Sequence, residues 1–335
     1  MKHTAEYVSP RHPDKLCDQI SDAIVDYCLT HDPLSRCAIE TMGGHGKITI
    51  TGEVTTLAPD VPWHARQIAE RIAGKQKEVE TNIVMQSPEI ARGVDTGGAG
   101  DQGIMVGYAC NETTTKMPME YELARSLNKY LYDIYKTDGK TQITWNAKTN
   151  MVECVLASFQ GATADHLKHY ILEWIKDCKE KVVFAKGSKS AQIIANPAGD
   201  WTVGGFDADA GVTGRKIVVD AYGPRVPVGG GAFSGKDATK VDRSAAYLAR
   251  YIAVHTLTRP QYRYANECIV KVAYAIGIAE PLDITILVDG VECKVSSIHK
   301  QMLKPKEIID FLHLREPVYE STARDGHFGV GQRWG

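Results

Sequence analysis

No apolar run in the 335 residues approaches the roughly 20 that a membrane-spanning helix needs. The eight cysteines (Cys17, Cys28, Cys37, Cys110, Cys154, Cys178, Cys268, Cys293) include no CxxC pair, which removes the usual zinc and thiol-redox signatures and leaves them as small reduced residues. A charge excess is missing as well. The 39 Lys and Arg stand against 41 Asp and Glu, a net charge of −2, so neither nucleic acid nor a membrane is expected as a partner, and any anion site has to be a local cluster. Residues 1–7 carry Lys2 as their one basic side chain besides His3 and no apolar stretch, so no secretory leader is visible and the expected location is the cytoplasm. What remains is the make-up of an ordinary globular protein, 43% hydrophobic and 24% charged, with a length suited to two or three domains.

Leu16, Ile20, Ala23, Ile24 and Tyr27 recur at helical spacing and predict a helix over residues 14–30, which Pro10 and Pro13 keep from extending upstream. Periodicity predicts further helices over 65–72, 121–135, 165–178 and 242–255. Alternation predicts strands over 47–57, 151–159, 216–220, 267–276 and 284–288. Residues 86–103 hold too many glycines and turn formers for a stable element, and Asn196-Pro197 reads as a turn. Three similar blocks of strands and helices suggest an α+β protein built from repeated layers.

Three segments carry chemistry. GGGAFSGKD at 229–237 has consecutive glycines whose backbone N–H groups can converge on phosphate oxygens while Lys236 supplies charge. It satisfies G-x-x-x-x-G-K from Gly230, yet Asp237 stands where a P-loop needs Ser or Thr, and Pro227 stands where the preceding strand should be, so a Walker motif is disfavoured. Arg215, Lys216, Lys240 and Arg243 flank the turn, interleaved with Asp209, Asp237 and Asp242, as a magnesium–phosphate ligand demands; a glycine-rich surface turn is the plain alternative. HPDK at 12–15 places an imidazole, a carboxylate and an ammonium at the first turn of a helix whose dipole favours anions, although Asp14 could simply cap that helix. GAGDQG at 98–103 suits close approach of a flat base, or merely a turn.

With these segments in this order, the chain resembles the S-adenosylmethionine synthetase family, whose GAGDQG hexapeptide and GGGAFSGKD nonapeptide both occur letter for letter. The likeness runs through HPDK at 12–15, IET at 39–41, GEVTT at 52–56, GVTGRK at 211–216, VDRSAA at 241–246 and GHFG at 326–329. It implies three similar sheet-and-helix domains around a pseudo-threefold axis, here at 1–89, 98–202 and 203–335, with residues 86–101 as a gate. It also implies a homodimer with shared active sites, pairing into tetramers being left open. The reaction implied joins the sulfur of L-methionine to C5′ of ATP and then hydrolyses the triphosphate.

Residue by residue, the resemblance gives His12, Lys140, Arg215, Lys216 and Lys236 to catalysis. ATP would meet these and Asp101, Asp138, Asp200, Trp201, Asp209 and Ala232; methionine would meet Glu53, Gln86, Asp209 and Lys240. Asp14 and Asp242 would hold two Mg²⁺, and Glu40 would hold K⁺. The physical demands agree, since a neutral thioether attacking carbon needs no base while a departing triphosphate needs heavy charge neutralisation. The chain departs from the family at Pro10-Arg11, where Glu-Gly is usual, at Asp200-Trp201, where Arg-Phe is usual, at Val228 and in a shortened 86–98 segment. A P-loop-like triphosphatase and a catalytically silent regulatory homologue are the rival readings.

Overall fold

A computed structural model describes residues 1–86, 97–178, 180–186 and 189–335, so most of the segment expected to form the gate lies outside the described residues. The first half of the chain runs β1 (Lys2–Val8), α1 (Pro13–His31), β2 (Arg36–Gly44), β3 (Lys47–Thr55), α2 (Val61–Ala73), β4 (Glu78–Met85), β5 (Gly103–Cys110), α3 (Met119–Tyr135), β6 (Gly139–Asn146), β7 (Met151–Phe159) and α4 (Ala164–Asp177). The second half continues with β8 (Ala185–Lys186), β9 (Lys189–Ser190), β10 (Gln192–Ala195), β11 (Gly211–Val212), α5 (Ile217–Asp220), α6 (Val241–Leu257), β12 (Glu267–Tyr274), β13 (Asp283–Val288), β14 (Val291–Glu292), α7 (Ser297–Met302), α8 (Pro305–Leu312) and α9 (Tyr319–Asp325). Among the described residues no helix is long and apolar enough to cross a membrane.

The expected α+β architecture is present as three four-stranded sheets, ordered β1-β6-β7-β10, β11-β2-β3-β4 and β14-β13-β12-β5. Each sheet borrows a strand from a distant part of the chain. β1 runs antiparallel to β6 with Lys2 opposite Asn146, β5 runs antiparallel to β12 with Cys110 opposite Glu267, and β11 pairs with the edge of β2. Helices cover one face of each sheet: α3 and α4 the first, α1 and α2 the second, α6 the third. α6 lies so close to β5 that a Cβ on Gly107 would come within 2.0 Å of the Ala249 carbonyl carbon.

α1 is buried along most of its length because it is covered on two sides, by β2 and by α9. Its apolar stripe (Leu16, Ile20, Ala23, Ile24) is joined in the interior by Asp14, Asp18 and Asp22. Acids of this kind stay buried only when fully paired. Asp22 meets that condition through a bidentate pair with Arg243 at 2.6 and 2.7 Å and through the Gly235 amide at 2.8 Å. The Arg243 guanidinium also lies over the Tyr319 ring, 4.1 Å from its centre.

The sequence expectations for α1, β3, α2, α3, β7, α4, α6, β12 and β13 agree with these elements apart from their ends. Residues 216–220 do not form the expected strand. The β-branched run Ile217-Val218-Val219 is wound into α5, with Asp220 N donating to Lys216 O at 2.8 Å, because a single turn carries Val219 and Asp220 inward together. Tertiary packing overrides propensity there. The fold predicts that Asp22→Ala, which leaves Arg243 buried and unpaired, lowers unfolding free energy by about 3–5 kcal/mol, read as a lower urea midpoint at unchanged slope.

Candidate active site

The outer edge of β2 organises the site. Met42 and Gly43 pair with Val212 and Gly211, Thr213 N donates to Thr41 O at 2.9 Å, and Ile39 N donates to Gly235 O at 2.9 Å. Lys236 lies opposite Ala38 on the same edge. The loops at 211–216 and 229–237 therefore hang side by side from one strand, and they touch where a Cβ on Gly214 would meet the Ala232 methyl at 2.6 Å. From below, α1 holds the same loops. Asp14 accepts from Val212 N at 2.9 Å, Asp18 from Gly214 N at 2.8 Å and Asp22 from Gly235 N at 2.8 Å. Gly235 is required twice over, by its φ of 83° and by the 2.0 Å that would separate a Cβ from Ile39 O.

One group of candidate residues gathers at the start of α1. His12 is its N-cap, and Asp14 N donates to His12 Nδ1 at 3.2 Å. Nδ1 is thus the bare nitrogen and the ring proton sits on Nε2. Burial, the Lys216 and Lys140 ammonium groups pull the imidazole down to about 4, against the opposing charges of Asp14 and Asp209. Asp14 also accepts from Lys216 Nζ at 2.5 Å and lies 3.9 Å from Arg215 Nε. Burial would raise its carboxyl, but the Lys216 bond and the Val212 amide outweigh that and hold it below the usual range. Asp138 is buried and accepts from Gly205 N at 2.9 Å; desolvation and the charge of Asp209 raise it, with the Gly205 and Gly139 amides opposing. Lys140 reaches both oxygens of Glu6 at 3.4 Å.

A second group surrounds the glycine turn. Lys236 Nζ donates to Asp242 Oδ2 at 2.7 Å, and the start of β5 closes on that pair, since a Cβ on Gly103 would lie 3.7 Å from Asp242 Oδ1. GAGDQG and GGGAFSGKD thus meet, Gly229 packing on Ile104 O so closely that a Cβ would sit 1.7 Å away. Asp101 at this end accepts from Gln102 N at 2.7 Å. Glu40 on β2 is raised by burial and by Asp18, against the pull of Lys236. Lys240 donates to Asp237 Oδ2 at 2.5 Å, and Asp237 also accepts from Cys37 N and Thr239 N, so this acid locks the turn onto β2 and faces no open site. Among the described residues neither Lys236 nor Asp242 bonds to His12, Lys140, Arg215 or Lys216.

Glu53 lies beside Val84 across β3 and β4, and Gln86 follows at the same end, its N donating to Val54 O at 3.3 Å. Gln86 is buried, with no partner for Oε1 among the described residues. Asp200 accepts from Ala164 N at 3.0 Å and from Asn196 Nδ2 at 3.2 Å, which places it at the start of α4, while Trp201 O accepts from Gly161 N at 2.8 Å. Arg11, the added base at 10–11, turns away from Asp14 and donates to Ile72 O at 2.7 Å, serving a carbonyl left free at the end of α2.

Lys15 also departs from the sequence expectation. It points into the interior rather than at an anion site, donating to Asp220 Oδ1 at 2.7 Å. Glu6 is a residue the sequence reading missed. It faces Lys140 at the rim of a cavity of about 470 Å³ whose wall includes Gln142, Arg215 and Lys216, and only the alternation along β1 could have singled it out. A larger cavity of about 760 Å³, between α3 and the stretch around Arg324, is lined by none of the expected site residues.

Comparison with known families accounts for the arrangement. The chain matches the N-terminal, central and C-terminal domain models of S-adenosylmethionine synthetase over residues 1–95, 96–201 and 203–334. The chain belongs to the S-adenosylmethionine synthetase family. It is 41% identical to the S-adenosylmethionine synthase of Petrotoga mobilis over 98% of this chain and 94% of that one, and 40% identical to that of Brachyspira hyodysenteriae over 97% and 92%. A solved structure, described as an unusual S-adenosylmethionine synthetase from Campylobacter jejuni, superposes with a TM-score of 0.87 at 29% identity, covering 99% of this chain and 96% of that one.

The family's need for a divalent ion can be tested on the side chains. Among the described residues no three His, Cys, Asp or Glu gather into a cage. Asp14 and Asp242 each offer hard oxygens with lone pairs beyond those their lysines use, and Mg²⁺ characteristically takes one or two carboxylates and completes its shell from substrate phosphates and water. The donor set therefore fits magnesium.

The imidazole of His12 provides a direct check on this electrostatic picture. Its C2 proton signal is expected to titrate near pH 4, against about 6.5 for an exposed imidazole. Because the folded value is the lower one, the stability that His12 contributes is full above about pH 6.5 and is lost as pH falls toward 4.

Proposed function

We propose that this chain is a methionine adenosyltransferase that converts ATP, L-methionine and water to S-adenosylmethionine, phosphate and diphosphate. Family membership over the whole chain supports the reaction. The observation that carries its chemistry is the suspension of Arg215, Lys216 and Lys236 from one strand edge and one helix, beside a neutral His12. The sulfur lone pair forms the bond to C5′ as the C5′–O5′ bond breaks, and the electron pair leaves on the triphosphate. Lys140, Arg215, Lys216 and Lys236 meet that charge with cations already in place, and Nε2–H of His12 donates to the departing O5′ as a hydrogen bond rather than as an acid. One such preorganised donor is worth about 3–4 kcal/mol.

Asp14 and Asp242 would hold two magnesium ions, which when bound neutralise and orient the phosphates; Glu40 would hold potassium. Asp101, Asp138, Asp200, Trp201, Asp209 and Ala232 would accompany the cations around the nucleotide. Gln86 Oε1, which lacks a donor among the described residues, suits the methionine ammonium, with Glu53 beside it and Asp209 and Lys240 completing the amino-acid end. The same reading includes a homodimer in which each site draws on both copies. Exposed Met42, Val84, Met85, Ile104, Ile276 and Ile278 give such a pair apolar surface to bury. The domains proposed are 1–89, 98–202 and 203–335, with 86–101 as the gate and the cytoplasm as the location.

A triphosphatase reading is disfavoured by Asp237, whose carboxylate is spent on Cys37 N, Thr239 N and Lys240. Incubation with ATP and methionine, followed by mass detection of the sulfonium product, is expected to give S-adenosylmethionine. Phosphate release without methionine and without that product would replace this function with hydrolysis. Lys236→Ala is expected to reduce synthesis at least about 100-fold while elution as a dimer on gel filtration is unchanged.

A further inference from the structure

Lys15 is the one ammonium of the HPDK segment that the proposed reaction leaves without a part. It is almost wholly buried, and its Nζ lies 2.7 Å from Asp220 Oδ1 and 3.1 Å from Asp18 Oδ2. These two acids mark the two ends of residues 214–220. Asp18 takes the Gly214 amide at 2.8 Å, where φ turns positive at 77°, and Asp220 is the last residue of α5. Between them stand Arg215 and Lys216. On the far side, His327 is fully buried with its Nε2 3.9 Å from Asp220 Oδ1. The Tyr247 hydroxyl accepts from Arg243 Nε and so turns its proton to His327 Nδ1, which leaves the ring proton on Nε2, facing Asp220.

We infer that Lys15 is a positioning residue: by holding Asp18 and Asp220 at once, it suspends residues 214–220 at both ends and sets where Arg215 and Lys216 meet the triphosphate. This inference rests on the reaction proposed above. A buried ion pair is poor evidence of stabilisation, since apolar replacements of like volume often serve as well. What an apolar side chain cannot do is fix two carboxylates, from α1 and from α5, at one point. The arrangement also explains why a β-branched run is wound into a helical turn. The turn brings Asp220 back to the ammonium that already holds Asp18.

The test compares wild type with Lys15→Met/Asp220→Asn, which removes one formal charge of each sign and leaves the formal sum over Lys15, Asp18 and Asp220 unchanged. Hydrogen exchange of the 213–220 amides is expected to quicken about tenfold or more while β6 and β7 stay protected. The kcat is expected to fall about 100-fold, as misplacement by an ångström does, with KM for methionine within about twofold. Unchanged exchange at 213–220, a methionine KM that rises as much as kcat falls, or global unfolding of this charge-balanced variant would each overturn the inference. If wild type makes no sulfonium product, the proposed reaction falls, and the exchange comparison still decides whether Lys15 tethers the segment.

Discussion

The structure depends on a ladder of carboxylates along α1. Asp14, Asp18, Asp22 and Asp26 stand four residues apart, a spacing that keeps them on one face of a helix. Each accepts backbone N–H groups from beyond residue 210: Val212, Gly214, Gly235, and Tyr319 with Glu320. Acids at this spacing repel one another by a few tenths of a kcal/mol in water and by more when desolvated. Lys216, Lys15 and Arg243 pair with Asp14, Asp18 and Asp22 and oppose that repulsion. Burial still raises Asp26, to about 7, although its two amides oppose that.

What this ladder delivers to the chemistry is rigidity in the right place. A cation on a freely moving loop would have to reorganise as charge develops, and that reorganisation is the cost that preorganised sites avoid. Here the loops bearing Arg215, Lys216 and Lys236 are fastened to the edge of β2 and to α1, two elements that are themselves packed together. His12 belongs to the same construction, because capping α1 settles its tautomer, while burial and then the neighbouring ammonium groups keep it uncharged.

The two glycine motifs were legible in the sequence for a physical reason. Gly229, Gly231 and Gly235 leave no room for a Cβ, so the segment advertises its own tight packing. The long amphipathic helices and the alternating strands were readable as well. The ladder was not, because four acids on a helix look like a solvated face until the partner loops, some 200 residues away, are in place. In the sequence Lys15 looks like part of an anion site, since a cation at a helix start looks available, and only burial between Asp18 and Asp220 shows otherwise. Residues 216–220 looked like a strand from composition alone, and Glu6 went unnoticed because its significance lies in the strand it faces, not in its neighbours along the chain.

The borrowed strands bear on how the molecule is made. A ribosome emits the chain from its amino end, so β1 leaves the exit tunnel with no partner until β6 follows, and β5 waits in the same way for β12. At about 5–20 residues per second, each wait lasts on the order of ten seconds. During that time unpaired edges face the cell, and a holding chaperone or a brisk translation rate would determine the yield of native protein.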